Sequence, residues 1–254
     1  MSDLQHNVAL VTGGGKGIGR AVCLELAANG VKIALVYRSD RLSAENTAQE
    51  IIAAGGEVRL YQAELTDRSS VSQLVTTLIA DWGAIDILVN NAGASAGGSL
   101  LALSDDRWQQ VLQSNLTSCF ITSSEVAKVM LNRGGSIISI AGASAHRCYP
   151  GAGAFGPSKA AIVNLTTQMA MEWARYGIRV NGVSPGPIRE ADSGWQAQEP
   201  LLAIEVATLP LKRAGTPQEV AKAVRYLASA DAGYTTGQML IVDGGGFCTW
   251  YLAP

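Results

Sequence analysis

No apolar run in this chain approaches the roughly 18 residues that would cross a bilayer as a helix. No lysine or arginine cluster accompanies its net charge of -2, so nucleic acid is not an expected partner. The opening "MSDLQHNVALVTGGG" has one short apolar stretch and no basic region before it, so no secretory leader is expected. The four cysteines, Cys23, Cys119, Cys148 and Cys248, are scattered without a C-x-x-C pair. Reduced thiols and a cytoplasmic location are the expectation. Only His6 and His146 could join those thiols around zinc, so no metal site is expected. What the chain does have is core material. Of its 254 residues, 48% are hydrophobic and 16% charged, which suits one large domain.

The pattern alternates strand and helix from end to end. Short apolar, β-rich runs stand at "NVALVTG", "KIALVYR", "EVRLYQA", "IDILVNN", "SIISIAG", "IRVNGVS" and "QMLIVDG". Helical stretches fall between them at 17–30, 43–54, 68–82, 104–132, 152–176 and 216–229. Runs that are apolar on both faces suit strands of a parallel sheet covered on both sides. The expectation is an α/β, doubly wound sheet in a single domain over 1–254. One irregular stretch, about 187–212, carries Pro187, Gly194, Pro200 and Pro210 and reads as a lid over a substrate.

The stretch "VALVTGGGKGIGRAV" puts a glycine-rich turn between the first strand and the first helix. Gly13, Gly17 and Gly19 permit a tight turn and a close backbone approach to a pyrophosphate. The helix N-terminus then offers N–H groups and the positive end of its dipole. A strand–turn–helix context of this kind is a strong dinucleotide signal.

The form "TGGGKGIG" resembles the short-chain dehydrogenase/reductase family, and within it the chain is similar to 3-oxoacyl-ACP reductases. Further matches follow in order: "NNAG" at 90–93, Asn115 in "QSNLTS", Lys159 in "FGPSKAA", "NGVSPGPI" at 181–188 and "VDGG" at 242–245. The resemblance spans essentially the whole chain. It implies a Rossmann-like fold with seven parallel strands, a nicotinamide dinucleotide and a homotetramer, or else a homodimer.

It also implies a cofactor site at Gly13, Gly15, Lys16, Gly17, Ile18 and Gly19. The site continues through Tyr37, Arg38 and Ser39 after the second strand. Glu64 and Leu65 would bracket the adenine, with Asn90, Asn91, Ala92 and Gly93 along the adenosine. Pro185, Gly186 and Ile188 would lie on the nicotinamide side. An acidic residue ending the second strand would bind a ribose 2′-hydroxyl. "VYRSD" instead offers Arg38, whose planar fork suits a 2′-phosphate, and Lys16 adds a second charge. NADP(H) is therefore the expected cofactor, with Asp40 the one nearby residue of opposite tendency.

Relatives that reduce ketones use an Asn–Ser–Tyr–Lys set, in which the tyrosine hydroxyl protonates the carbonyl oxygen. By that resemblance Asn115 and Lys159 match. Phe155 stands at the tyrosine position and Gly142 at the serine position. Phe155 and Lys159 are one helical turn apart, on one face. The ring carries no exchangeable proton. An acid would have to come from elsewhere: Ser144, His146 or Tyr149 on "SAHRCYPG", or Lys159 itself if its charge is offset by the phenyl neighbour and the cofactor. Gly142, Phe155 and Trp195 are expected against substrate, with Arg189, Glu190 and Asp192 as further lid contacts. The expected function is an NADPH-dependent reductase with a non-standard proton source, acting on an activated C=O, C=N or C=C bond of a small molecule. A cofactor-binding sensor, a silent subunit, and an isomerase or cyclase are the alternatives. The aromatic tail with Phe247, Trp250 and Tyr251 is expected at a subunit interface.

Overall fold

In the computed structural model, residues 4–94 and 97–248 are described. Seven strands run in chain order: β1 (Val8–Thr12), β2 (Lys32–Tyr37), β3 (Val58–Gln62), β4 (Ile87–Asn90), β5 (Gly135–Ile140), β6 (Ile178–Pro185) and β7 (Met239–Val242). They form one parallel sheet in the order β3-β2-β1-β4-β5-β6-β7. The alternating pattern predicted a doubly wound parallel sheet, and the resemblance implied this Rossmann-like arrangement of seven strands.

Side chains alternate across each strand, so one sequence run builds two cores. Ala9, Val11, Ile33 and Leu35 pack against α1 (Gly17–Ala28), α2 (Arg41–Ala53) and α9 (Pro217–Ala228). Val8, Leu10, Ala34 and Val36 face the other layer: α3 (Arg68–Trp82), α5 (Ser118–Met130) and α6 (Phe155–Trp173). Each such Val, Leu or Ile contributes about 1.5–3 kcal/mol of burial. The sheet is thereby fixed as a rigid base for the loops at its carboxyl edge.

The helix ends follow local chemistry. Asp40 accepts from Ser43 and starts α2 two residues before the predicted position. Thr216 and Glu219 form a capping box with Pro217 at the first turn of α9. The stretch predicted as one helix over 104–132 is divided in three. A π-helical turn over Gln113–Thr117 separates α4 (Asp105–Leu112) from α5, and Asn115 sits in it, fully buried. Such turns cluster at functional sites. The irregular stretch holds α7 (Trp195–Gln198) and α8 (Pro200–Thr208).

Candidate active site

β1 has β2 on one side and β4 on the other, so connections leave it in opposite directions. A crevice opens at the carboxyl end of the strands at such a switch point. The glycine turn lies there. Gly13 and Gly17 have φ of +66° and +53°, where a side chain would be strained. A Cβ on Gly19 would collide with the Gly13 carbonyl oxygen, and one on Gly93 would sit 2.7 Å from Asn115 Oδ1. Lys16 occupies the N-cap of α1 in an extended conformation and makes no capping bond, so the first N–H groups of α1 are open to an anion. Thr12 stitches the two edges of the crevice. Its hydroxyl accepts from Asn91 N and Ala92 N at 2.9 and 3.0 Å and donates to Val89 O. Asn91 Nδ2 donates back to Thr12 O and Gly13 O.

The crevice has a volume of about 320 Å³, with Lys16, Tyr37, Arg38, Glu64, Leu65 and Ala92 in its walls. The structure thus brings together the residues expected around the adenosine half. Its charges are loosely engaged. Lys16 lies 3.5 Å from Asp40 and Arg38 lies 3.9 Å from Glu64, all well exposed. Pairs of this kind hold little energy and exchange readily for a stronger anion. Asp40 is committed elsewhere: its carboxylate caps α2, and the Ser43 hydroxyl and N–H hold its pKa below the usual range. Glu64 is likewise held low by the Thr66 N–H and hydroxyl. The cradle, the open helix end and the paired cations fit a phosphorylated dinucleotide.

Deeper in, Lys159 is 5% exposed on α6. Its Nζ donates to Ile140 O at 2.9 Å and stands 5.6 Å from the Phe155 ring centroid. No acidic side chain pairs with it among the described residues, and burial lowers its pKa to about 8. Asn115 Oδ1 accepts from Ala94 N, and both amide hydrogens are taken, by Ala94 O and Ser158 Oγ. Its side chain is a buttress for the loop after β4, with no amide hydrogen left for a water. Ile188, Pro185 and Gly186 are fixed at the mouth of β6. Gly186 N donates to Val242 O, and the 187–189 backbone exchanges hydrogen bonds with Gly215.

The loop after β5 departs most from expectation. Gly142 has φ +154°, a backbone state that side chains resist. A Cβ there would lie 3.3 Å from Ser144 Oγ and 4.0 Å from Pro185 O. The Ser144 hydroxyl is buried and has no hydrogen-bond partner. His146 is half-buried, its Nε2 2.9 Å from Ser184 Oγ and its ring edge-on to Phe247. Arg147 reaches the carbonyl of Gly246, so the C-terminal turn leans on this loop. Tyr149 is 55% exposed and is not drawn into the group.

The lid residues are also placed differently. Trp195 is buried in an apolar cluster with Val206 and Leu209, beneath the Arg189 guanidinium. Arg189 is locked to Glu199 by two hydrogen bonds. Trp195, expected against substrate, thus packs within its own segment. Glu190 and Asp192 are exposed. Phe247 meets His146 of its own chain, a neighbour not foreseen, while Trp250 and Tyr251 lie outside the described residues. Thr12, Ser158 and Ser184 were missed altogether. Thr12 alone had a visible signal, as the polar residue closing an apolar strand before the glycines.

A glycine turn feeding a helix at the switch point of a seven-stranded parallel sheet, with a buried lysine across the crevice, defines a doubly wound dinucleotide-binding fold. The comparisons with known proteins are specific. The family described as enoyl-(acyl carrier protein) reductase matches residues 13–246. A 3-oxoacyl-[acyl-carrier-protein] reductase from Synechocystis is 39% identical over 247 residues, 96% of this chain and 98% of that one. A reductase of the same description from Staphylococcus epidermidis is 35% identical over 238 residues, 93% of this chain and 97% of its own. Among solved structures, a short-chain dehydrogenase/reductase from Serratia marcescens superposes with a TM-score of 0.90 at 37% identity, covering 97% of this chain and all of the other. One from Mycobacterium marinum gives 0.88 at 34% identity, covering 97% of each. The chain belongs to the short-chain dehydrogenase/reductase family and is an oxidoreductase.

Proposed function

We propose that the chain is an NADP(H)-dependent reductase whose proton does not come from the family's tyrosine. One observation carries this reading: a complete cofactor cradle and a buried Lys159 stand beside Phe155 and Gly142, which offer no hydroxyl. In this reading the glycine turn and α1 hold the pyrophosphate. Lys16 and Arg38 hold the 2′-phosphate, Glu64 and Leu65 flank the adenine, and Lys159 faces the nicotinamide ribose. Bound NADPH would supply hydride.

The chain's own residues then supply polarity and a proton. Lys159, with its pKa near 8, releases a proton far more readily than an ordinary lysine. Ser144 and His146 offer polar groups on the loop beside Gly142, and Tyr149 is the outermost candidate. Such an arrangement suits a bond that needs little acid help, an activated C=O, C=N or C=C in a small molecule. Phe155 is then a wall against the substrate. We place the protein in the cytoplasm as a homotetramer, or a homodimer, which light scattering tests.

The decisive assay follows NADPH absorbance with an acetoacetyl thioester, a cyclic imine and a 2,4-dienoyl thioester. Titration calorimetry with NADPH and NADH accompanies it. Consumption of NADPH with at least one substrate supports the proposal. Tight NADPH binding without turnover would favour a sensor, and product without cofactor oxidation an isomerase.

A further inference from the structure

We infer that Ser184 fixes the tautomer of His146 and so turns its Nδ1–H into a hydrogen-bond donor for the substrate. This rests on the reading of the chain as a reductase. Ser184 is completely buried on β6, one residue before Pro185. Its hydroxyl lies 2.9 Å from His146 Nε2. A buried hydroxyl proton needs an acceptor. Among the described residues, Nε2 is the acceptor within reach of this one. Ser184 therefore donates, Nε2 accepts, and the imidazole proton sits on Nδ1. The hydrogen bond at one ring nitrogen sets the state of the other.

Nδ1 has no hydrogen bond to the described residues. The Phe247 ring meets the imidazole edge-on, 5.5 Å between centroids at 65°, and limits its rotation. The bond to Ser184, the residue before Pro185, holds the imidazole at the carboxyl end of β6. The donor is thus held beside the end of β6, where the nicotinamide side of the crevice lies. A neutral imidazole that gave up this proton would become an anion, so Nδ1–H stabilises developing negative charge without transferring its proton. Ser184 acts through His146 and is a positioning residue.

The chain contains two histidines, which makes imidazole nitrogen NMR of the full-length protein readable, with a His6→Gln variant to assign the signals. The expected result is His146 protonated at Nδ1 in the unaltered protein. In Ser184→Ala it shifts several-fold toward the Nε2–H form that free imidazole side chains prefer. Nε2–H in the unaltered protein, or a ratio unmoved by Ser184→Ala, would overturn the role of Ser184. If that variant fails to fold, Ser184→Cys, a weaker donor of similar size, is read in the same way. Adding acetoacetyl-pantetheine with NADP⁺ should move the Nδ1–H signal; an unmoved signal would overturn the donor assignment. A correct tautomer in a protein that never consumes NADPH would sink the reductase reading alone.

Discussion

Lys159 is a buried cation without a carboxylate partner among the described residues, and that makes its removal informative. Burial lowers its pKa from 10.5 to about 8. At about 1.36 kcal/mol per unit, holding the ammonium in the folded site costs roughly 3 kcal/mol. The sign follows from proton counts. Between about pH 8 and 10.5 the unfolded chain holds a proton on this lysine that the folded chain has lost. Stability from this residue therefore rises with pH through that window, and the full cost applies below it.

Lys159→Met keeps the volume and removes the charge. Other groups titrate in the same range. Burial pushes the Cys23 and Cys119 thiols upward, which lowers stability as pH rises. The difference between variant and unaltered protein cancels most of this. Urea unfolding of the cofactor-free proteins at pH 7, 8, 9 and 10 gives that difference through the midpoints. The advantage of the variant should shrink by about 2.5 kcal/mol between pH 7 and pH 10. The lost bond to Ile140 O and the lost contact with Phe155 offset the curve by a constant but leave its slope. Parallel curves for the two proteins would refute a depressed lysine.

Arg38→Glu should weaken NADPH binding about 10- to 100-fold while sparing NADH, since a charge-assisted bond contributes about 1.5–3 kcal/mol. Calorimetry with both cofactors checks it, and an equal loss for both would count against Arg38. Phe155→Tyr returns a phenol beside Lys159 and should raise ketone turnover about 10²-fold or more, the usual scale of acid catalysis; an unchanged rate would contradict the assignment of Phe155. Gly142→Ser alone should lose about 1–3 kcal/mol of stability, because φ +154° resists a side chain, and a neutral unfolding midpoint would argue against that backbone state. Trp195→Ala opens the lid cluster, so amide exchange over 195–209 should accelerate at least tenfold while the sheet stays protected. Equal protection would mean the lid does not depend on Trp195.

How much of this was legible in the sequence differs by element, for physical reasons. The central strands β1, β2 and β4 were readable because each leaves a nearly unbroken apolar run where the sheet is covered on both faces, while β3 and β6, with Arg59 and Arg179 in them, were readable from their place in the alternation. The glycine turn was readable because its backbone geometry excludes other residues. Helix boundaries slipped where one residue decides them. Gly151 and Gly153, both with positive φ, delay α6 from the predicted 152 to Phe155. The π-turn at Asn115 left no trace, since a single inserted residue does not disturb an apolar pattern. The contacts of Ser184 and Trp195 left no sequence signal because they are made across the fold, with His146 and with Val206 and Leu209.

In the loop after β5, backbone conformation and side-chain identity act together. At position 142 the backbone constrains the side chain as well as the chemistry. Its backbone occupies a conformation that a serine would resist, and the Ser144 hydroxyl lies 3.3 Å from the place a Cβ would take. That hydroxyl is buried and unpaired, a state that costs about 1–3 kcal/mol. The glycine at 142 and the unpaired serine at 144 are therefore coupled within this loop. Gly142→Ser without a shift of Ser144 would place two hydroxyls in one small space on a strained backbone. Phe155→Tyr combined with Gly142→Ser should consequently gain less ketone turnover than Phe155→Tyr alone. A double variant faster than the single would show that the loop relaxes around serine and that its present backbone is a consequence of glycine.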